Sequence, residues 1–281
     1  MISVITPVYN GEKFIEACIK VVIEQNCPDV EHIIVDGGST DRTVEIIKQY
    51  AENYPHIRWI SEKDKGQSDA MNKGIAIAKG EILAILNVDD YYEPNVLNRV
   101  SELFKTLPNP SLLVGNCNLW NDDGELMEIN KPKKMKFTDF LMGWNINPLP
   151  ANPSAYFYHT SVHQIIGLYD VDDHDSMDLH FMLQAVQAAT VKYVDETWGN
   201  FRLLKGTKTF NNNLSGQTMP RIESIMASYR KNLPWYQQWR IAIIREFYEK
   251  KNWIEVRIKY FSKSPQELPR SITAKLIKKF G

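Results

Sequence analysis

The chain opens with an alternation of short apolar runs and amphipathic stretches. Ile2 to Thr6 reads as a strand closed by Pro7. From Glu12 to Gln25, the residues Phe14, Ile15, Cys18, Ile19, Val22 and Ile23 fall at the i, i+3, i+4, i+7 spacing of a half-buried helix. His32-Ile33-Ile34-Val35 is a second strand ending on Asp36. The polar side chains of the following Gly37-Gly38-Ser39-Thr40-Asp41 can cap a helix marked by Val44, Ile46, Ile47 and Tyr50. Ile57 to Ser61 predicts a third strand and Gln67 to Ala78 a third helix, stopped by Gly80. Ile82 to Leu86 is apolar on consecutive residues, as a strand buried on both faces should be. This order predicts βαβ units on a mostly parallel sheet.

Beyond Ser111 the periodicity is weaker. Leu112-Leu113-Val114 and Met127-Glu128-Ile129 read as strands, Lys131 to Lys136 as a basic loop, Met177 to Ala189 as a helix and Val191 to Val194 as a strand. Pro148, Pro150 and Pro153 keep the segment between them out of a helix. Past Pro220 long helices are expected, with Trp235, Trp239, Ala242, Ile243, Glu246 and Phe247 at helical spacing and Lys or Arg between them.

The 281 residues, 43% hydrophobic and 24% charged, suit one large domain with an appendage and exclude a disordered or low-complexity chain. The net charge of −1 argues against a dedicated nucleic-acid binder. It is also the sum of two unequal parts: residues 1–219 carry 19 Lys and Arg against 29 Asp and Glu, whereas 220–281 carry 14 against 5. A basic tail on an acidic body either docks on that body or meets something anionic, such as a membrane surface. Cys18, Cys27 and Cys117 have no C-x-x-C spacing, so neither a disulfide framework nor a zinc site is expected, and reduced thiols suit the cytoplasm. No secretory pattern follows Met1 and no apolar run approaches the ~18–20 residues of a membrane span, so any membrane contact should be peripheral, on the inner face.

In open α/β sheets ligands collect at the carboxyl ends of the strands. Thr6-Pro7-Val8-Tyr9-Asn10, Asp36-Gly37-Gly38, Glu62-Lys63-Asp64 and Asn87-Val88-Asp89-Asp90 should all lie there. Asp89 and Asp90 either offer hard oxygen ligands to Mg²⁺ or Mn²⁺ or cap the helix that starts near Pro94, and the convergence of the other polar loops favours the ligand site. Asp36 can accept from a ribose hydroxyl or a base N–H. Neither G-x-G-x-x-G after the first strand nor G-x-x-x-x-G-K-[ST] is present, which weakens dinucleotide and P-loop readings.

Four motifs follow one another in the first hundred residues: Val4-Ile5-Thr6-Pro7-Val8-Tyr9-Asn10-Gly11, Val35-Asp36-Gly37-Gly38-Ser39-Thr40-Asp41, Lys65-Gly66-Gln67-Ser68-Asp69-Ala70-Met71-Asn72-Lys73-Gly74 and Gly80-Glu81-Ile82 through Asp90. In that order they resemble the family 2 glycosyltransferases of GT-A fold. The resemblance implies a mixed, mostly parallel sheet flanked by helices, with a nucleotide-binding half (1–100), an acceptor half (101–219) and a basic amphipathic helical tail (220–281). It implies a sugar donor on a nucleoside diphosphate, of the UDP-sugar type, and inverting transfer to a hydroxyl of a glycan or lipid-linked acceptor.

The same resemblance assigns roles. Thr6, Pro7, Val8 and Tyr9 would line the base pocket, Asp36 would hold uracil or ribose, and Lys65, Gly66, Ser68 and Asp69 would lie near base and sugar. Asn87, Val88 and Asp89 would meet the nucleotide, with Asp89 the ligand of Mn²⁺ or Mg²⁺; Asn87 stands where the family commonly has Asp. Met177-Asp178-Leu179-His180 resembles the motif of the catalytic base, pointing to Asp178. Phe201 to Thr209 resembles a flexible segment closing over the donor, with Arg202, Lys205 and Lys208 as diphosphate contacts and Leu204 where a His is common. The alternative is a sugar-nucleotide-binding protein without transfer activity, acting through its tail as an assembly partner. A nucleotidyltransferase would need a Gly- and Lys-rich loop after the first strand, which is not there.

Overall fold

The computed structural model describes residues 1–263. The elements run β1 (Ile2–Val8), α1 (Ile15–Glu24), β2 (Val30–Asp36), α2 (Thr43–Asn53), β3 (Ile57–Ser61), α3 (Gln67–Ile77), β4 (Ile82–Ile85), β5 (Tyr91–Tyr92), α4 (Val96–Phe104), β6 (Ser111–Trp120), β7 (Leu126–Asn130), α5 (Phe137–Phe140), β8 (Tyr156–His159), α6 (Ser161–Ile166), α7 (Met177–Ala188), β9 (Thr190–Arg202), α8 (Lys208–Leu214), α9 (Thr218–Lys231) and α10 (Trp235–Lys263). The described residues form one nine-stranded sheet in the order β3-β2-β1-β4-β8-β6-β9-β5, with β7 paired to β6.

The first four strands are parallel, as their apolar runs predict. Their register places Val8 opposite Asp36 and Asp36 opposite Ser61, so the loops after β1, β2 and β3 leave one edge of the sheet together. Cys18 and Val22 of α1 pack with Val4, Ala84 and Leu86 on one face, while Ala70, Met71 and Ile75 of α3 cover Ile5, Val35 and Ile85 on the other.

The second half departs from expectation in three places. β8 follows the proline-crowded segment and runs antiparallel between β4 and β6. A short 3-10 turn, Pro153–Ala155, precedes it, with Pro at its start, where the missing N–H costs nothing. β9 extends to Arg202 rather than stopping at Val194, pairing with β6 across two register shifts and with the two-residue β5. Phe201 and Arg202 therefore close a strand, and Lys208 opens α8, so only residues 203–207 of the expected flexible segment are loop. At Gly199 an added Cβ would lie 2.3 Å from the Ser154 Oγ and 2.7 Å from the Ser154 backbone, so a larger residue would push β9 off the 3-10 turn.

The break in charge after Met219 falls inside α9. Met226 of α9 and Ile241 of α10 are buried in the same cluster as Phe140, Leu141, Phe181 and Met182. The Arg230 guanidinium donates to the Leu141 carbonyl at 2.8 Å and pairs with Glu223, which also binds Arg245. The first part of the basic tail is thus docked on the body, and residues 264–281 lie outside the described residues. Met226→Ala should cost about 2–5 kcal/mol in urea unfolding, whereas Trp239→Ala, at a side chain 66% exposed, should change stability by no more than ~0.5 kcal/mol.

Candidate active site

The loops at the carboxyl edge are stitched to one another before any ligand arrives. Asn10 Oδ1 accepts the Thr40 N–H at 2.9 Å, the Asn10 N–H reaches Ser39 Oγ at 2.7 Å, and the Gly11 N–H reaches Thr43 Oγ1 at 2.9 Å. Asp36 is fully buried. One of its oxygens accepts the N–H groups of Gly38 and Ser39, each at 3.0 Å, and the Ser61 hydroxyl at 2.6 Å; the other takes the Ser39 hydroxyl. Its acceptor capacity is largely used by its own loop.

The side chain of Thr6 is also turned inward, 2.9 Å from His32 Nε2, and Pro7 and Val8 are buried. Of the residues expected at the base pocket, only Tyr9 is well exposed, at 63%. Asp64, one of the carboxylates expected at this edge, accepts the Gly66 N–H at 2.9 Å and approaches Gly37 so closely that a Cβ there would lie 2.5 Å from its Oδ2. A larger residue at Gly37 would have to displace the Asp64 carboxylate, and Gly38 beside it holds a φ of 84° that favours glycine.

The Asn87–Asp90 turn is built around Asp90. Asn87 and Asn152 donate to its Oδ2 at 2.9 and 2.8 Å, and the Arg202 N–H donates to Oδ1 at 3.2 Å. The Asn87 amide oxygen in turn accepts from Gln67 at 2.9 Å. Both ends of that amide are therefore held within the protein. The Arg202 guanidinium donates to the Asp89 carbonyl and lies over the rings of Phe14, at 5.4 Å, and Tyr91, at 6.0 Å. Burial, followed by the charge of Asp89, pushes the Asp90 carboxyl up, and burial likewise raises Asp89 despite the pull of Arg202.

Lys65 lies exposed at the mouth of the neighbouring loop, its N–H bonded to Asp69 at 3.1 Å, while Lys73 also pairs with Asp69 at 3.5 Å. Gly66 holds a φ of 121°, with His174 immediately above it. The buried Ser68 hydroxyl donates to the Asp173 carbonyl at 3.0 Å, and Asn72 exchanges two hydrogen bonds with the Tyr169 backbone. The donor-half loop and the acidic loop from Asp170 to Asp178 are thereby brought together.

Asp178 stands in the first turn of α7, above Tyr156, Tyr158 and Tyr169. Its buried Oδ1 has no hydrogen-bond partner among the described residues, nor do Asp173 Oδ2 and the Tyr156 hydroxyl. Burial and then the charge of Asp173 push the Asp178 carboxyl up to about 6, against the pull of Lys208. Lys208 is held by Asp175 at 3.3 Å, and Arg221 and Asn212 bind the same carboxylate. Lys205 is elsewhere, paired with Asp122 at 3.2 Å beyond the end of β6.

Asp89, Arg202, Tyr9 and Lys65 thus rim one side of the edge, and Asp178 with Lys208 belongs to the loop and helices that close the other. Gln67 and Asn152 are not among the expected site residues, whereas Asp173 belongs to the acidic run before Asp178, whose like charge can raise that carboxyl or simply be solvated, and here it raises it. Asn152 carries a faint signal, a polar residue in a proline-fixed segment, and nothing in the sequence separates Gln67 from its neighbours in the same loop.

A search of solved structures returns the same architecture. Staphylococcus aureus TarS 1–349, solved in complex with UDP-GlcNAc, aligns over 85% of this chain and 70% of its own, with a TM-score of 0.65 and 18% identity. The mannosyltransferase PcManGT of Pyrobaculum calidifontis, solved with GDP-Man and Mn²⁺, aligns over 99% and 78%, with a TM-score of 0.62 and 16% identity. At these identities the likeness is one of fold. Among curated sequences, the chain is 34% identical over 145 residues to the uncharacterized glycosyltransferase YibD of Escherichia coli and 33% identical over 105 residues to an E. coli chondroitin synthase. Those matches cover 50% and 37% of this chain but only 41% and 15% of the relatives. The family model described as Glycosyl transferase family 2 matches residues 3–159, which include every motif of the donor edge. With the GT-A sheet in place and more than half of its length matched, the chain belongs to glycosyl transferase family 2.

Proposed function

We propose that this chain transfers one sugar, with inversion, from a nucleoside diphosphate donor of the UDP-sugar type to a hydroxyl of a glycan or lipid-linked acceptor. The observation that carries this reading is Asp178, a carboxylate in a helix's first turn with an unpartnered buried oxygen and a raised pKa. In the proposed step Asp178 takes the proton of the acceptor hydroxyl. The acceptor oxygen bonds to the anomeric carbon as the bond from that carbon to the diphosphate breaks, and the nucleoside diphosphate leaves. Asp173 keeps Asp178 basic enough for the transfer, and the tyrosines beneath exclude water.

On the donor side Tyr9 offers a face for the base and Lys65 a donor near base and sugar. Arg202, fixed by two rings and the Asp89 carbonyl, offers charge to the diphosphate. Lys208 can reach the same charge only by leaving Asp175; Lys205 would have to leave Asp122. Asp36, Ser68, Asp69, Asn87 and Val88 act in this reading through the loops they hold.

The donor set suits a divalent ion. Among the described residues there is no cluster of three or more His, Cys, Asp or Glu able to hold one alone. Mg²⁺ and Mn²⁺, however, are commonly bound by one or two carboxylates together with substrate phosphates. Asp89 is a carboxylate whose side chain is not drawn into the Asp90 network, which leaves its oxygens to a cation. The bound ion would supply Lewis-acid stabilisation to the leaving diphosphate. The PcManGT complex with Mn²⁺ supports this assignment.

Asn87 and Leu204, which depart from the family's common residues, favour a sugar-nucleotide-binding protein without transfer activity. The Asn87 amide has a different reason to be there, since it bridges Gln67 and Asp90. Three buried, unpaired thiols support a reducing compartment such as the cytoplasm.

Asp89→Ala should abolish the metal dependence of UDP binding in isothermal titration and lower transfer by on the order of 10²-fold or more. Asp178→Asn should leave UDP affinity unchanged while kcat falls by about 10²–10⁴-fold. Full activity in both variants would sink the assignment.

The proton must be off Asp178 for it to act as base, so kcat/KM should fall about tenfold per pH unit below about 6. Asp173→Asn, by removing a like charge, should move that acid limb to lower pH. Linkage gives an independent readout. Folding raises this pKa from 3.8, so the native state keeps the proton longer than the unfolded chain, and this group's contribution to stability falls as pH rises from about 4 to about 6. Asp178→Asn should therefore raise the Tm above pH 6 and leave it unchanged below about pH 4, as thermal melts across that range would show.

A further inference from the structure

α10 turns opposite faces to two environments. Ile241 is buried against the body and Arg245 holds Glu223 beside it. About 200° around the helix from Ile241, Ile243 lies in a stripe with Trp235, Trp239 and Phe247, which are 44, 78, 66 and 70% exposed respectively. The four follow one another every fourth residue, over roughly 18 Å of helix. None of these large side chains is needed to seat the helix, because the contacts with the body are made on the other side. Helix formation alone would be served better by Lys or Glu at these positions.

We infer that this stripe is the face with which the protein lies on an anionic lipid bilayer. Shape and charge both favour that occupant. A helix docked along one side with its other side bare presents a convex ridge, which a bilayer interface accepts without a complementary groove, and Trp and Phe beside basic residues is the composition that interfacial helices use. Exposed Arg240 borders the stripe, as do Lys250 and its partner Glu246, 2.6 Å apart, and residues 220–281 as a whole carry 14 Lys and Arg against 5 Asp and Glu, opposite in sign to the lipid. No helix among the described residues is long and apolar enough to cross a membrane, so the contact is along the surface.

The stripe sits on the acceptor side of the molecule. α9 reaches α7 near Asp178 through Tyr229, whose hydroxyl is 3.3 Å from His180 Nδ1, and α9 and α10 share a core with α5 and α7. A protein lying on this ridge would meet the hydroxyl of a lipid-linked acceptor from the side that carries Asp178. That last assignment rests on the transferase reading, whereas the docking face does not.

The test is co-sedimentation of the full chain with vesicles of equal parts phosphatidylglycerol and phosphatidylcholine, against phosphatidylcholine alone, at low and high salt. Binding should require the anionic lipid and weaken with salt. Trp239→Ala with Phe247→Ala should lower the partition coefficient at least about tenfold, with unchanged circular dichroism and UDP binding. Wild-type partitioning by the double variant would overturn the proposal, as would equal binding to uncharged vesicles. A dimer in sedimentation velocity without lipid, abolished by the same substitutions, would overturn it in favour of a second copy of this chain. Failure of the wild-type chain to bind UDP alongside intact, salt-sensitive vesicle binding would sink the transferase reading and support the face.

Discussion

A carboxylate withdrawn from water must be met by donors, and the way Asp90 is met determines much of the architecture around it. Its partners come from three separate places: Asn87 two residues past β4, Asn152 ahead of the 3-10 turn, and the backbone of Arg202 at the end of β9. These bonds tie the parallel half of the sheet to the mixed half at the one edge where the strands deliver their loops. They also decide what Asp89 can do. With Asp90 directed inward and Arg202 pinned over Phe14 and Tyr91, the neighbouring carboxylate and guanidinium are left together at the rim.

A second carboxylate organises the opposite wall. Asp175 binds Lys208 and Asn212 of α8 and Arg221 of α9, so the acidic loop, the segment after β9 and the start of the basic tail share one ionic junction. The opposite charges of body and tail are therefore partly an internal matter. Arg221 is spent on the body, and Arg230 and Arg245 on Glu223. What remains exposed is the outer side of α10, where Arg240 and the Lys250–Glu246 pair border aromatic residues, and that remainder points away from the core. Docking on the body and facing an anionic surface, which charge alone left as alternatives, need not exclude each other: the first is made by one side of α10, and the second is what the proposal gives to the other.

The parallel half was legible because its signals are local. Strands buried on both faces write continuous apolar runs and the helices between them write a 3.6-residue period, so Ile57–Ser61 was read to the residue and β1, β2 and β4 to within two. The mixed half was not, because its strands are defined by partners distant in sequence. Tyr91–Tyr92 is a strand only because β9 runs past it, and β9 reaches Arg202 only because β6 shifts register twice alongside it. Pro153 marked an irregular stretch correctly but gave no warning that Tyr156–His159 would enter the sheet between β4 and β6.

The site was legible at the level of loops and less so at the level of atoms. A polar residue at a strand end can serve a ligand or hold the loop that serves it, and sequence does not separate the two. Asp36, Ser68, Asp69 and Asn87 all have their polar groups engaged by neighbouring protein groups. Asp178 does not, and it belongs to a weaker motif in the weaker half. The distinction is energetic: an engaged carboxylate has already been compensated for leaving water, whereas a buried oxygen without a donor stores that cost until something supplies a proton or a positive charge. At Asp178 the cost is expressed as a raised pKa, with Asp173 adding to it and Lys208 limiting it. In the proposed reaction, a movement that drew Lys208 from Asp175 toward a diphosphate would weaken that limit and make Asp178 a stronger base as the donor is enclosed.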